Sequence, residues 1–286
     1  MEKLFPTLQS PLFQEHFLRT PFACAGGCLE HASAGTWEKV ESILTQPDVD
    51  LLIGRGEDFW NRLPPRTATA AREVLDQGYT LGIRHAERHD ADLAKLSVRF
   101  GTDFLAPVNI HLYCTPAGCT GFGWHYDAED VFVLQTTGAK NWELRKNTVN
   151  PWPIVEDLPQ NMQYEREIMP IMRCALAAGD WLYIPAGYWH RTQADEMSIS
   201  LSVGILSPTA LTIFDYLRTH LKSSLLWRQR LPQWGSASTA SGDQFDACRE
   251  LCVQLGADIN NILTSDQFIA AFCRHRASAG GYNGSQ

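Results

Sequence analysis

The sequence predicts an α+β protein, an antiparallel β sandwich or barrel with helical segments on either side. Two observations carry that expectation. From residue 106 onward, short runs alternate apolar and polar residues between Gly/Pro turns, with no helical pattern among them. Before and after that stretch, apolar residues recur at the three- and four-residue spacing of a helix face.

Taken in order, Trp37 to Leu44 places apolar residues at 37, 40, 43 and 44, which predicts a short helix. Residues 67–77 (TATAAREVLDQ) contain few breakers and stop at Gly78, as a helix should. Residues 90–100 (DADLAKLSVRF) open on an acidic cap and put Leu93, Leu96 and Phe100 on one stripe. The β texture then begins with PVNIHLYC and a loop, TPAGCTGFG. It continues through WHYDAEDVFVLQTTG, AKNWELR (139–145), LYIP and MSISLSVGI. The stretch 150–175 is irregular and rich in Pro and Met, a long excursion between strands. After Pro208 apolar residues at 211, 214, 217, 221 and 225 predict one helix. A polar linker, GSASTASGD (235–243), precedes helices from Gln244 to about Leu255 and from Asp266 to Phe272. The tail ASAGGYNGSQ has the composition of disorder. The expected organisation is a domain over 1–207, with its barrel core at 106–207, and a helical segment over 208–286.

Composition excludes several classes. The 44% hydrophobic and 20% charged content is that of an ordinary globular protein. No apolar run approaches the roughly 18 residues of a membrane span. MEKLFPTLQSPLF lacks the basic and apolar regions of a secretory signal, so a cytoplasmic location is expected. A formal net charge of -8 has the wrong sign for a general nucleic-acid binder. Arg218, Lys222, Arg228 and Arg230 cluster locally and read as a solvated helix face. None of the eight cysteines forms a CxxC pair, so no disulfide framework is expected. Cys248 and Cys252 have a spacing that would suit a metal on a helix, but read more simply as two small residues on one buried face.

The chemistry concentrates in His125-Tyr126-Asp127. On a strand, period-two geometry puts His125 and Asp127 on one face, roughly 7 Å apart at about 3.3 Å per residue. A third ligand from another strand is available in His190, which ends GDWLYIPAGYWH. Two imidazoles and a carboxylate on one face of an octahedron leave positions open, the facial triad of non-haem iron(II) oxygenases. HxD alone also arises by chance, and His190 alone would suit a capped turn. The surrounding residues decide between these readings. An oxygenase using 2-oxoglutarate must hold its distal carboxylate with a cation. Lys140 lies 13 residues after Asp127, where the next strand would return past the metal. The Tyr113 hydroxyl could donate to the same carboxylate. Asn109 and His111 share a face with Tyr113. Ser198, Ser200 and Ser202 share another face, read as lining a polar site.

These segments resemble the JmjC-type cupin oxygenases, in particular the ribosomal-oxygenase-like group that hydroxylates protein side chains. The resemblance rests on NIHLYCTPAGCTGFGWHYDAEDVFVLQTTGAKNWEL followed by AAGDWLYIPAGYWH. It extends more weakly over PLFQEHFLRTPFACAGG and YTLGIRHAERHDADLAKL, covering about residues 10–207. It implies a double-stranded β-helix (jelly-roll, cupin) core with an N-terminal helical/β elaboration and C-terminal helices. It further implies iron(II) held by His125, Asp127 and His190, and 2-oxoglutarate held by Lys140 and Tyr113, with Ser200 near the cosubstrate. Dioxygen would be the co-reactant and a hydroxylated C–H the product. Members acting on ribosomal proteins also carry a dimerisation segment and a winged-helix domain. The residues after Ser207 suffice for the first only, so a homodimer without the winged helix is expected. Three functions stay open: hydroxylation of a protein or peptide side chain (with His111, Asn109, Trp124 and the 150–175 excursion at the entrance), oxidation of a free small molecule, or a non-enzymatic metal-binding cupin.

Overall fold

The computed structural model describes residues 10–159, 162–231 and 242–279. The chain divides into two compact units between Ser207 and Pro208. In the first, eight strands form one antiparallel sheet: β1 (Phe22–Cys24), β2 (Asp50–Arg55), β3 (Asp58–Phe59), β4 (Thr80–Arg84), β5 (Val108–Thr115), β6 (Asp130–Thr137), β9 (Trp181–Ile184) and β11 (Ser198–Ile205), in the order β1-β9-β6-β11-β5-β4-β2-β3. A second antiparallel sheet contains β7 (Lys140–Arg145), β8 (Ile171–Leu176) and β10 (Trp189–Ala194), in the order β10-β7-β8.

The alternating runs become strands because each side of the large sheet has its own environment. In β11, Ile199, Leu201, Val203 and Ile205 enter the main apolar core, while Ser200 and Ser202 face a cavity on the opposite side. β6 is buried at seven of its eight positions, in keeping with the unbroken apolar run Val131–Leu134 at its centre. Its Phe132 and Leu134 join the main core, and Val131 and Val133 join a second core with Trp142, Leu144 and Leu182.

Helices cover the core side. α1 (Pro11–His16) is capped by Ser10. α2 (Trp37–Leu44) buries Val40, Ile43 and Leu44 behind the Thr36 cap. α3 (Ala68–Asp76) is capped by Thr67 and followed by Gly78 at φ 82°, a left-handed turn that favours glycine. α4 (Ala91–Phe104) starts at Asp90, whose Oδ1 accepts the Asp92 and Leu93 amides, and buries Leu93, Leu96 and Phe100.

Phe132 is the hub of this core. Its ring lies 5.0–6.0 Å from those of Phe13, Phe100, Phe104, Trp181 and Tyr183, and it is fully buried. Phe132→Ala is expected to lower stability by about 3–5 kcal/mol, read as a shifted urea midpoint at unchanged slope. A loss under about 1 kcal/mol would show that the ring cluster is not the main support.

The second unit contains α5 (Leu211–Leu221), α6 (Leu225–Arg228), α7 (Gly242–Leu263) and α8 (Asp266–Ala279). Tyr216 packs on Phe268, Phe272 and His275, and Trp227 donates to Asp258.

Several expectations need correction. The single helix after Pro208 breaks after Leu221, where the Ser223 hydroxyl bonds the His220 carbonyl. The last two helices run longer than read, and α8 takes in the first residues of the expected tail. Residues 232–241, with most of the proposed linker, and 280–286 of the tail lie outside the described residues. Cys248 is half-buried and Cys252 exposed, so they share no buried face. Residues 171–175 belong to β8 and not to an irregular excursion. His190 lies on a strand, β10, as expected, whereas β1 to β4 have no counterpart in the sequence reading. Their side chains are buried in no simple alternation, as in β2, whose first three residues are all half-buried. Arg218, Lys222, Arg228 and Arg230 are all exposed, as a solvated face requires.

Candidate active site

His125 and Asp127 do not lie in a strand proper. His125 makes an isolated antiparallel bridge to His190 of β10, with His125 N–H to His190 O at 3.2 Å and the reverse bond at 2.8 Å. The Asp127 carbonyl accepts the Gly187 amide at 2.8 Å. Gly187 is at φ 81°, and a Cβ there would lie 2.8 Å from the Pro151 carbonyl oxygen. Backbone freedom and close approach both call for glycine at this turn. Asp180 fixes the other end of the motif, accepting the Gly26 and Ala177 amides through its two carboxylate oxygens.

The imidazoles are oriented from behind. His125 Nδ1 lies 2.8 Å from the Gly123 carbonyl and His190 Nδ1 lies 3.0 Å from the Tyr188 carbonyl. A carbonyl only accepts, so each Nδ1 carries the proton and each Nε2 keeps its lone pair. His190 Nε2 is 3.5 Å from Asp127 Oδ2. One ligand atom from each of His125, Asp127 and His190 lies within 4.8 Å of the others, close enough to share one ion. Burial, then the neighbouring His125, pushes the His190 pKa down to about 4, so its lone pair is free at neutral pH. Asp127 is 40% exposed and marks the open side.

Behind the three ligands, the same cavity is lined by Tyr113, Lys140, Ser200, Ser202 and His111. Lys140 is 3% exposed, and its Nζ donates to Ser200 Oγ at 3.0 Å. Among the described residues no carboxylate pairs with it, and burial lowers its pKa to about 8. A buried ammonium with one neutral partner is an incomplete site for an anion. Burial raises the Tyr113 pKa, keeping the phenol a donor. Its ring lies where a Cβ on Gly82 would come within 2.7 Å. The donor set thus fits a divalent metal at one end and a carboxylate at the other.

The six residues named from sequence all line this one cavity. Asn109 does not; it donates to Glu129 at 2.6 Å, and Glu129 does line it. His111 accepts the His85 amide at Nδ1, which leaves Nε2 as the protonated nitrogen. Ser198 is buried, its Oγ without a partner among the described residues. Glu129 went unread because DAED resembles a solvated acidic loop. Gly82 gives no sequence signal, since the ring it accommodates lies on another strand.

Residues 83–213 match the family of the JmjC domain. Over 133 residues the chain is 34% identical to the bifunctional lysine-specific demethylase and histidyl-hydroxylase NO66 of Dictyostelium discoideum, covering 44% of this chain and 25% of that protein. It is 32% identical to ribosomal oxygenase 1 of Gallus gallus over 57% of this chain and 28% of that one. The chain therefore spans only about a quarter of these relatives' length. Among solved structures, the Escherichia coli ribosomal oxygenase YcfD in complex with cobalt and 2-oxoglutarate superposes with a TM-score of 0.61 at 19% identity. That match covers 97% of this chain and 72% of YcfD, a likeness of fold. The match to the JmjC domain family over residues 83–213 spans the His-Asp-His cluster and most of the strands that line its cavity.

Proposed function

We propose that the chain is an iron(II)- and 2-oxoglutarate-dependent oxygenase that hydroxylates a C–H bond on a protein or peptide side chain. The observation that carries this reading is the pairing, in one cavity, of the His-Asp-His cluster with a buried lysine that has no carboxylate partner among the described residues. His125, Asp127 and His190 would hold iron(II), and Lys140, Ser200 and Tyr113 would hold 2-oxoglutarate beside it. When bound, that pair supplies the oxidising power for C–H hydroxylation. The chain's own work is positional. Gly123 and Tyr188 carbonyls hold the imidazoles, Lys140 and Ser200 anchor the distal carboxylate, and Tyr113 donates to it. Val131, Val133 and Trp142 wall the cavity with apolar surface. A protein substrate is supported by the names of the relatives, which include a histidyl-hydroxylase and ribosomal oxygenases.

The helical unit after Ser207 is proposed as a homodimerisation segment, because Leu211, Phe214, Leu225, Val253 and Ile269 expose apolar surface. Light scattering at twice the chain mass would support it and a monomer would end it. No described helix is long and apolar enough to cross a membrane, and the eight cysteines are free. A cytoplasmic location is proposed on the free cysteines alone.

The test of the activity is direct. Purified anaerobically and given iron(II) and 2-oxoglutarate, the protein should release succinate on exposure to oxygen, at a rate that His125→Ala lowers by at least 100-fold. Equal release from the variant and the wild type would refute the assignment. A peptide substrate would gain the mass of one oxygen atom.

A further inference from the structure

We infer that Tyr164 is a positioning residue for the metal centre, setting the separation of the two histidine ligands from outside the cavity. The inference rests on the metal site proposed above. His125 and His190 meet through a two-bond bridge flanked by the Gly187 N–H to Asp127 O and Gly121 N–H to Thr192 O bonds, so backbone pairing sets the register of the two segments and leaves the placement of their side chains to packing on the outer face. In extended chain, neighbouring side chains point to opposite faces. The residues flanking the bridge therefore turn away from the cavity, and they pair across it. Tyr126 meets Trp189 edge-on at 4.7 Å, and the Arg191 guanidinium lies over Trp124 at 4.9 Å.

Tyr164 joins these two pairs. Its ring stacks on Trp124 at 4.3 Å and 9° and meets Trp189 edge-on at 5.3 Å. Trp124 immediately precedes His125, and Trp189 immediately precedes His190. One ring thus contacts the neighbours of both ligands. The ring is itself held firmly. Arg145 covers it at 5.2 Å and donates to the Glu167 carbonyl. The buried Glu167 carboxylate accepts the Thr148, Ile168 and Met169 amides and the Thr148 hydroxyl. This ties both ends of the excursion together. The Tyr126 amide also donates to Met162 Sδ, at 3.4 Å. Residues 162–169 therefore work as a strap across the back of the metal site, with Tyr164 as the contact.

Cobalt(II) binding to the full chain tests this, by calorimetry and by the metal's visible absorption. Tyr164→Phe keeps the ring and should bind within about twofold of wild type. Tyr164→Ala should weaken binding about 10- to 100-fold, the range for groups that orient ligands, and alter the absorption bands. Tyr164→Leu, which preserves apolar volume but not a stacking face, should show the same band change if the alanine variant fails to fold. A Leu or Ala variant that melts lower yet binds cobalt(II) with wild-type affinity and spectrum would overturn the inference. If His125→Ala binds as wild type does, the metal site itself fails, and this inference with it.

Discussion

Lys140→Met is expected to weaken 2-oxoglutarate binding by about 30-fold to several thousand-fold while raising the melting temperature of the ligand-free protein. The two effects share one cause. Lys140 is buried, and among the described residues Ser200 Oγ is its hydrogen-bond partner and no carboxylate pairs with it, so the ligand-free fold carries the desolvation cost of an ammonium without a counter-charge there. Methionine fills similar space and removes that cost. Loss of a buried charge partner costs about 2–5 kcal/mol in binding, which gives the affinity range stated. The pH dependence has a defined sign. Folding lowers the lysine pKa from an ordinary value of about 10.4 to about 8. Between those values the unfolded chain binds the extra proton, so stability rises with pH. Below pH 8 both states are protonated and the penalty is fully present. Ligand binding runs the opposite way: above pH 8 wild-type affinity should fall about tenfold per unit as the ammonium is lost. Thermal melts and 2-oxoglutarate titrations from pH 6 to 10 check both trends. A methionine variant that melts lower and binds as wild type would rule out an anion site at Lys140.

His190→Ala should abolish the stabilisation that a bound metal confers. At 100 times its dissociation constant, a metal binding only the folded state adds about 2.7 kcal/mol. At about 2–4 °C per kcal/mol, that is a rise of about 5–10 °C. With His190 removed, two ligands remain and the rise should vanish. The metal-free variant should also be less stable by about 1–3 kcal/mol, because the Tyr188 carbonyl loses its buried donor. Scanning calorimetry with and without cobalt(II) separates the two effects. A full metal-induced shift in the variant would exclude His190 as a ligand.

Residue types and spacing made much of this legible. Period-two alternation in PVNIHLYC, AKNWELR and MSISLSVGI marks β5, β7 and β11, because a strand with two different environments must alternate. Capped, striped segments mark α2, α3 and α4 for the same local reason. The spacing of His125, Asp127 and Lys140 and the turn before His190 pointed to one cavity, and all four line it. The four N-terminal strands were not legible. Residues 50–55 pair with β4 and residues 80–84 with β2 and β5, and both owe their strand state to these partners more than to their own pattern.

The amino-acid sequence by itself determined the donor atoms, since ligand chemistry belongs to residue type and alternation decides which side chains share a face. It determined that His125 and Asp127 point the same way, but placed them on a strand where the fold provides one bridge to His190. Only the tertiary structure decided that Lys140 is buried without a carboxylate partner among the described residues, that Tyr113 has room because Gly82 has no side chain, and that Tyr164 backs both histidines. Each of these depends on groups far apart in sequence. Burial, counter-charge and ring contact are properties of what surrounds a residue, and chain folding supplies those surroundings.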